Sequence, residues 1–170
     1  MIDWDAVGAI GEIVGAVAVV VSILYLAGQI GTQNREARRA ALHEVYTSFR
    51  DALSAFRDPN LSVIWVKAKD DFESLEEHEL LQFLAAAMPA LRTWEEAFIQ
   101  FEEGLIEERS WNALTKNFVP WMGVSSYQKI WEERKILFDP GFREYVDNIE
   151  VTEFSLRQIG DFKLPSTNHE

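Results

Sequence analysis

The chain opens with an apolar stretch that is long enough to cross a membrane. Residues 6–30 are almost entirely apolar, and residues 13–27 contain no charged side chain. A membrane-spanning helix needs about 20 apolar residues. The core helix of a soluble protein is the alternative, but its apolar run usually has only about 10 to 14 residues. The pattern therefore predicts a transmembrane segment over residues 1–34, with the span at 6–30.

The charges that flank this stretch predict its orientation. Asp3 and Asp5 precede it and no Lys or Arg does, whereas a secretory signal peptide begins with positive charge. The first basic residues follow the span directly, at Arg35, Arg38 and Arg39. Because cytoplasmic flanks carry the excess of basic residues, we expect these three, the basic collar, on the cytoplasmic side of the membrane. The short N-terminus is then outside.

Helical periodicity continues beyond the span. Residues 35–57 are good helix formers with apolar side chains at helical spacing, which predicts a basic juxtamembrane helix that continues the membrane helix. We expect it to end at Asp58 and Pro59, because the residue before a proline avoids the helical region of backbone space. A short amphipathic helix follows, with Leu61 and Ile64 on its apolar side.

Local signals predict the remaining helices. Ser74 with Glu77 three residues later matches a capping box, which predicts a helix from Leu75 to Gly104 that is kinked at Pro89. The next helix covers residues 107–119. Ser125 with Gln128 predicts the cap of another helix, which runs to residue 138. Asp139 and Pro140 form the N-cap and first turn of the last helix.

The fold class that follows is all-α: one N-terminal transmembrane helix that continues into a small cytoplasmic helical bundle. No segment shows sustained strand alternation. We assign residues 58–151 to an acidic helical domain and residues 152–170 to a C-terminal tail that lies along the domain or frays.

Net charge limits the partners of this domain. Residues 1–34 carry −3 and residues 35–57 carry +2, so residues 58–170 hold −11 of the total of −12. So acidic a domain repels nucleic acid and anionic lipid, and we expect no nucleic-acid partner. The absence of cysteine is compatible with a reducing cytoplasm.

Small and polar residues share one side of the predicted membrane helix. They fall within an arc of about 120° on a helical projection: Gly8, Gly11, Glu12, Gly15, Ala18, Ser22 and Gln29. Small residues let membrane helices approach closely, and Ser or Gln can hydrogen-bond across the contact. We therefore expect a homo-oligomer with its interface at Gly8, Gly11, Gly15, Ala18 and Ser22, which we call the glycine face.

Glu12 is the one charged residue within this arc. A carboxylate facing lipid at the centre of a membrane costs about 2.5 to 3.5 kcal/mol. Glu12 therefore reaches the outer interface or is protonated against a neighbouring helix, or it pairs with a basic residue of another membrane protein. In a further alternative, copies of Glu12, Ser22 and Gln29 line a water-filled, cation-selective pore.

The sequence contains no recognisable catalytic or metal-binding motif. Di-metal sites in helical bundles normally use two Glu-x-x-His motifs, and neither His43, His78 nor His169 belongs to one. No Gly-x-Ser-x-Gly elbow is present. The recurrent Glu-Glu pairs are best interpreted as a solvated face. We accordingly expect no enzyme activity, no metal and no cofactor.

Trp121 and Met122 form a candidate partner loop. They follow Pro120 and precede Gly123, and an exposed apolar tip there would dock on a partner subunit or a membrane surface. Packing in the core is the alternative, and it is the commoner fate of single apolar residues in loops.

Several segments resemble a group of small uncharacterised bacterial membrane proteins. The likeness covers the apolar opening at residues 9–30 and, later in the chain, Trp-Glu-Glu-Ala-Phe at 94–98, Trp-Glu-Glu-Arg at 131–134 and Phe-Asp-Pro-Gly-Phe at 138–142. The resemblance implies a bacterial inner membrane and brings no function with it.

Together these features favour a single-pass membrane protein that self-associates through the glycine face and presents a helical domain for oligomerisation or partner binding. Its expected partners are copies of itself and the lipid bilayer, with another membrane or cytoplasmic protein as a further possibility. The competing hypothesis is a homo-oligomeric cation channel lined by Glu12, Ser22 and Gln29.

Overall fold

A computed structural model describes the backbone of residues 4–151 and 154, and the side chains of residues 15–151 and 154. All regular secondary structure within these residues is helical, so the predicted all-α class is confirmed. The chain divides into two compact units, residues 1–40 and residues 41–170. Apart from Val151 and Phe154, the segment after Glu150, which includes most of the predicted tail, lies outside the described residues.

The first helix, α1, runs from Trp4 to Ser54. Gly31 and Thr32 do not interrupt it, and the Thr32 hydroxyl donates to the carbonyl of Gly28, one turn earlier (3.1 Å). The described side chains of the first unit, residues 15–40, are all exposed.

Helix α1 belongs to the second unit from Ala41 onwards. In this part of α1, Ala41, Val45 and Ala52 are buried in the core of the bundle. A short 3₁₀ turn, Ala55–Arg57, follows the helix. The boundary before Asp58 and Pro59 thus lies where the sequence predicted it.

Helix α2 runs from Pro59 to Asp70 and begins with a side-chain cap. The carboxylate of Asp58 accepts from the backbone N–H of Asn60 (2.8 Å), which satisfies one of the free donors of the first turn. Leu61 and Ile64 are buried in the core, as their spacing predicted, and Ala68 is buried with them.

Helix α3 runs from Glu77 to Glu102 and starts two residues later than predicted. The capping box at its start joins Glu76 and Glu79: the backbone N–H of Glu76 donates to Oε2 of Glu79 (2.8 Å). The prediction that Ser74 caps this helix is wrong, because Ser74 lies in a 3₁₀ turn and donates to the carbonyl of Asp71 (2.7 Å).

The sequence predicted that α3 does not stop at Pro89 and that it ends at Gly104. The helix continues through Pro89. It ends before Gly104, whose φ of 73° is the left-handed conformation that glycine adopts most easily after a helix.

Three shorter helices complete the bundle: α4 (Glu108–Phe118), α5 (Ser125–Arg134) and α6 (Pro140–Asp147). The 3₁₀ turns Val119–Gly123 and Lys135–Leu137 connect them. Asp139 caps α6 as predicted, since its Oδ1 accepts from the backbone N–H groups of Gly141 and Phe142.

The predicted cap of α5 is wrong. The N-cap position is Val124, which has no capping side chain. The hydroxyl of Ser125 instead donates to the carbonyl of Lys69 (3.3 Å), and the amide of Gln128 donates to the carbonyl of Met122 (2.8 Å). Both side chains therefore tie α5 to other segments.

Aromatic rings dominate the core of the bundle. Trp94 stacks on Phe118, with ring centroids 5.4 Å apart, and meets Phe142 edge-on at 5.5 Å. Phe142 also contacts the ring of Trp131 at 5.7 Å. These rings come from α3, α4, α5 and α6, so the aromatic cluster joins four helices. Each large ring removes a correspondingly large apolar area from water.

Candidate interaction surfaces

The glycine face lies on the first unit, on helix α1. Gly8, Gly11 and Glu12 belong to the helix, but they precede residue 15, from which the structure describes side chains and their surroundings. Gly15 is surrounded by open space: a Cβ atom built on it meets nothing within 4 Å. Within a single chain this face is therefore accessible from Gly15 onwards.

The polar residues of this face form hydrogen bonds within their own helix. The hydroxyl of Ser22 donates to the carbonyl of Ala18 (2.8 Å). The amide nitrogen of Gln29 donates to the hydroxyl of Tyr25 (3.0 Å). Such local bonds satisfy polar donors in a low-dielectric medium without a partner helix. Each side chain keeps an oxygen that can accept from a neighbour.

The basic collar follows on the same helix, and Arg35, Arg38 and Arg39 are all exposed. The guanidinium of Arg35 donates to the hydroxyl of Thr32 (3.2 Å). Spacings of three and four residues place these arginines on one side of the helix, within an arc of about 100°.

The partner loop predicted at Trp121 and Met122 is a 3₁₀ turn that packs on the bundle. Met122 is buried, so its assignment to an exposed tip is wrong and the alternative of core packing is observed. Trp121 is half-buried, with its ring 6.0 Å from that of Phe56 and 5.3 Å from that of Tyr127. Only Trp121 therefore remains accessible.

An apolar groove lies beside Trp121, and its volume is about 300 Å³. We call it the aromatic groove; its lining consists of Phe56, Ser62, Trp65, Val66, Trp121 and Phe154. The ring of Phe154 meets that of Trp65 edge-on, with centroids 5.6 Å apart. The sequence analysis did not find this groove, because its walls come from four separate segments of the chain.

A buried carboxylate connects α3 to the start of α6. Glu95 is only 8% exposed. Its Oε2 accepts from Arg92 Nη1 (2.6 Å), and its Oε1 accepts from the backbone N–H of Asp139 (2.6 Å). Arg92 also donates to the carbonyl of Leu137 (3.1 Å) and lies over the ring of Phe138. We call this arrangement the Glu95 latch.

The Glu95 latch corrects the interpretation of the Glu-Glu pairs as a solvated face. Glu95 is buried, and Glu96 beside it is half-buried. Burial raises the pKa of Glu96, and the nearby carboxylate of Glu44 adds to the rise. The other four pairs are exposed as predicted: Glu76-Glu77, Glu102-Glu103, Glu107-Glu108 and Glu132-Glu133.

Two of the motifs that carry the resemblance, those at residues 94–98 and 138–142, meet within the bundle. The carboxylate of Glu95, in the motif at residues 94–98, accepts from the backbone N–H of Asp139, in the motif at residues 138–142. A Cβ atom on Gly141 would lie 3.5 Å from the ring of Phe98 and 3.2 Å from Oδ1 of Asp139, so a larger residue would crowd this turn. The motifs therefore have a structural role here, which is to hold α6 on α3.

The carboxylates of Glu79 and Asp147 connect neighbouring helices of the bundle. Lys67 on α2 pairs with Glu79 on α3, and this contact, with the backbone N–H of Glu76, lowers the pKa of Glu79. The indole N–H of Trp131 donates to Asp147 (2.7 Å), and this bond, with Lys135, lowers the pKa of that carboxyl group.

The tyrosines of the core are neutral. Burial raises the pKa of Tyr145 to about 12, and it also raises that of Tyr127. Among the residues with described side chains, no three His, Asp or Glu converge as a metal site would require. His78 is exposed beside Glu76.

Comparison of this chain with family models, with curated proteins and with solved structures finds no match. The resemblance to small bacterial membrane proteins remains a prediction. One helix near the N-terminus is long and apolar enough to cross a membrane.

Proposed function

We propose that the chain is a single-pass inner-membrane protein that self-associates through the glycine face and presents its helical bundle in the cytoplasm for oligomerisation or partner binding. The contrast between apolarity and exposure in α1 carries this proposal. The most apolar window of the described part of this helix is not buried at all within the chain. A core helix of equal apolarity would be covered by its own domain, so lipid or another copy is the natural cover.

The glycine face supports self-association more than lipid contact alone. Close approach at Gly15 allows backbone contacts between helices, which lipid chains cannot replace. Ser22 uses its donor within the helix and Gln29 uses one of its two, and both side chains offer an oxygen acceptor to the neighbour. Neither side chain therefore prevents a single helix from inserting into the membrane. The inserted helices then associate there.

Gly15→Leu tests the interface, with Gly28→Leu as its matched control. A Cβ atom meets nothing within 4 Å at either glycine, so the single chain accepts leucine at both. Gly28 lies on a different side of the helix from Gly15, by about 140° on a helical projection. We expect Gly15→Leu to dissociate the oligomer and Gly28→Leu to preserve it, as measured by native mass spectrometry in detergent. Equal masses for both variants and the wild type would remove the glycine face as the interface.

The absence of cysteine allows a direct test of topology. Single cysteines at Ile2 and at Asn112 place one thiol on either side of the proposed span. In intact cells with a permeable outer membrane, we expect a membrane-impermeant maleimide to label Ile2→Cys at once and Asn112→Cys only after lysis. The reverse pattern contradicts the topology, and recovery of the chain in the soluble fraction contradicts the membrane assignment.

The second proposal is a cation channel lined by Glu12, Ser22 and Gln29. It is favoured by the oxygen acceptors of Ser22 and Gln29, because rings of oxygen atoms replace the hydration shell of a cation. A lumen requires several copies, so a dimeric mass would eliminate it. If five or more copies assemble, we expect Glu12→Gln to lower cation conductance in planar bilayers, and a wild-type protein that passes no current would exclude the channel.

A further inference from the structure

We propose that the aromatic groove is a binding site for a small organic cation of the quaternary ammonium class, with choline as the simplest probe. The inference goes beyond the proposed function: it concerns the second unit alone and depends neither on self-association nor on membrane topology. Three properties of the groove carry it: the rings of its walls, the scarcity of polar groups in its described lining, and the charge of the surrounding domain.

Four aromatic rings line the groove at steep angles to one another. Phe56 and Trp121 meet with their centroids 6.0 Å apart and their planes at 90°. Trp65 and Phe154 meet at 5.6 Å and 69°. All four rings are half-buried, so part of each is accessible. The electron-rich face of such a ring attracts a cation within about 6 Å of its centroid, and several rings at steep angles form the aromatic cage that quaternary ammonium groups occupy.

The ring of Trp121 is anchored in the core of the bundle. Tyr127, which is fully buried on α5, meets it edge-on with the ring centroids 5.3 Å apart. Phe49 on α1 also contacts it, at 6.4 Å. A ring that is already held in place loses little conformational entropy when a ligand binds, so this wall is preorganised.

The described lining favours a quaternary ammonium over a protonated amine. Among these residues none is charged, and the polar one is Ser62, whose hydroxyl donates to the carbonyl of Phe56 (3.1 Å). A lysine-type ammonium has three N–H donors, which would lose their water partners here and find a single side-chain oxygen. A quaternary ammonium has no N–H group, so it gains the contact with the rings without that cost.

The charge of the domain and the size of the groove also match a small cation. Residues 58–151 carry a net charge of −10, which raises the local concentration of cations. The volume of about 300 Å³ is at the lower end of the range for small-molecule sites. We therefore expect a compact ligand. Free choline and the phosphocholine headgroup of a lipid share the trimethylammonium group and are the two sources to distinguish.

Choline and its uncharged isostere 3,3-dimethyl-1-butanol separate cation binding from apolar binding. The two molecules differ in the replacement of the quaternary nitrogen by carbon. In titrations of the full-length chain in a maltoside detergent, the rings should shift the methyl proton resonances of choline upfield. We expect choline to bind at least about tenfold more tightly than the isostere. Equal affinities, or no shift of choline at millimolar concentration, overturn the proposal.

Trp65→Leu and Trp121→Leu test the location of the site. Leucine keeps an apolar wall but removes the ring face, so each variant should weaken choline binding about tenfold. Phe101→Leu is the matched control, because it removes a half-buried ring that stacks on Trp111 and is not part of the groove lining. Choline affinity that falls equally in all three variants, or in none, overturns the assignment to the groove. The comparison with the isostere uses the wild type, so it decides even if a tryptophan variant fails to fold.

A short-chain phosphatidylcholine below its micellar concentration distinguishes the two sources. Tighter binding of choline assigns the groove to the free cation, and tighter binding of the lipid assigns it to a headgroup. Either order supports a trimethylammonium site, provided that Trp65→Leu weakens the tighter ligand. If neither molecule binds, the proposal is wrong, whereas the proposed oligomer and its topology are unaffected.

Discussion

Helix α1 contributes to both units of the molecule, and its two parts differ in what covers their apolar side chains. In residues 15–40 every side chain is exposed, including Val17, Val20 and Leu24, each of them more than half exposed. In residues 41–54 the same helix buries Val45 completely. The bundle therefore covers the apolar side chains of the second part, whereas those of the first part are uncovered within the described chain.

The comparison shows that helix formation and tertiary stability are separate properties here. The first unit is held by backbone hydrogen bonds and by local side-chain bonds such as that of Ser22 to Ala18. The bundle is held by rings and by the Glu95 latch, which come from residues distant in the chain. Substitutions in the two units should consequently affect different measurements: insertion or association in the first unit, and cooperative unfolding in the second.

Phe142→Ala should give the largest effect and the sharpest contrast. Phe142 is fully buried and contacts the rings of Trp94, Trp131 and Phe138, so the variant leaves a large cavity. We expect a loss of about 3 to 5 kcal/mol in the free energy of unfolding, measured by urea titration with near-UV circular dichroism in detergent.

Val20→Ala serves as the control for Phe142→Ala. Val20 is 56% exposed in the chain, so its truncation leaves no cavity in the bundle. The urea midpoint of the near-UV signal should not change. If Val20→Ala lowers this midpoint as much as Phe142→Ala does, the separation between the two units is wrong.

Glu95→Ala should give the next largest effect, because it opens the Glu95 latch. The backbone N–H of Asp139 loses its acceptor, and Arg92 loses its carboxylate partner while it keeps the carbonyl of Leu137. An unsatisfied buried group costs about 1 to 3 kcal/mol, and we expect a loss of that size in the same urea titration. Glu95→Gln keeps an acceptor and should lose less.

Glu96→Gln is the matched control within the same Glu-Glu pair. Burial already disfavours the charged form of Glu96, so a neutral amide should leave the stability unchanged or raise it slightly at pH 7. A destabilisation as large as that of Glu95→Ala would mean that the pair acts as one unit and that the latch is not specific to Glu95.

Asp147→Asn should give the smallest effect, and one that depends on pH. The indole N–H of Trp131 holds the pKa of Asp147 below its ordinary value of 3.8. The carboxylate therefore stabilises the folded chain above that value, and this contribution disappears as the pH falls through the lower, folded pKa. Because the side chain of Asp147 is 41% exposed, solvent weakens the contribution.

The measurement is the difference in unfolding free energy between wild type and Asp147→Asn as the pH is lowered. We expect a small difference at pH 7 that shrinks below pH 3.8. Glu133→Gln, an exposed change on α5, should show no such trend. A difference that grows on acidification would contradict the role of the charge.

Features set by neighbouring residues were predictable from the sequence. Asp58 with Pro59 and Asp139 with Pro140 each combine a cap with a preset first turn, and α2 and α6 begin where these pairs predict. The start of α3 was misplaced by two residues because Ser74 and Glu76 offer overlapping boxes. Tertiary contacts select the second one, since Glu79 also pairs with Lys67 on α2.

Features that depend on distant residues were not predictable. Glu95 looked like a solvent-facing glutamate, because nothing nearby in the sequence signals that residues 137–139 bring a backbone donor and a second arginine contact. Met122 resembled a loop residue because its burial depends on the whole bundle. The contact between residues 94–98 and 138–142 was likewise visible only in three dimensions.

The arrangement of the aromatic cluster also has a consequence for the order of events during synthesis. Trp94 is enclosed by Phe118, Phe142 and Tyr145, and the last two belong to α6, near the end of the described chain. The bundle therefore cannot close until the ribosome has made α6, whereas the apolar part of α1 is complete long before. The nascent chain must keep half-formed helices apart from other proteins for most of its translation.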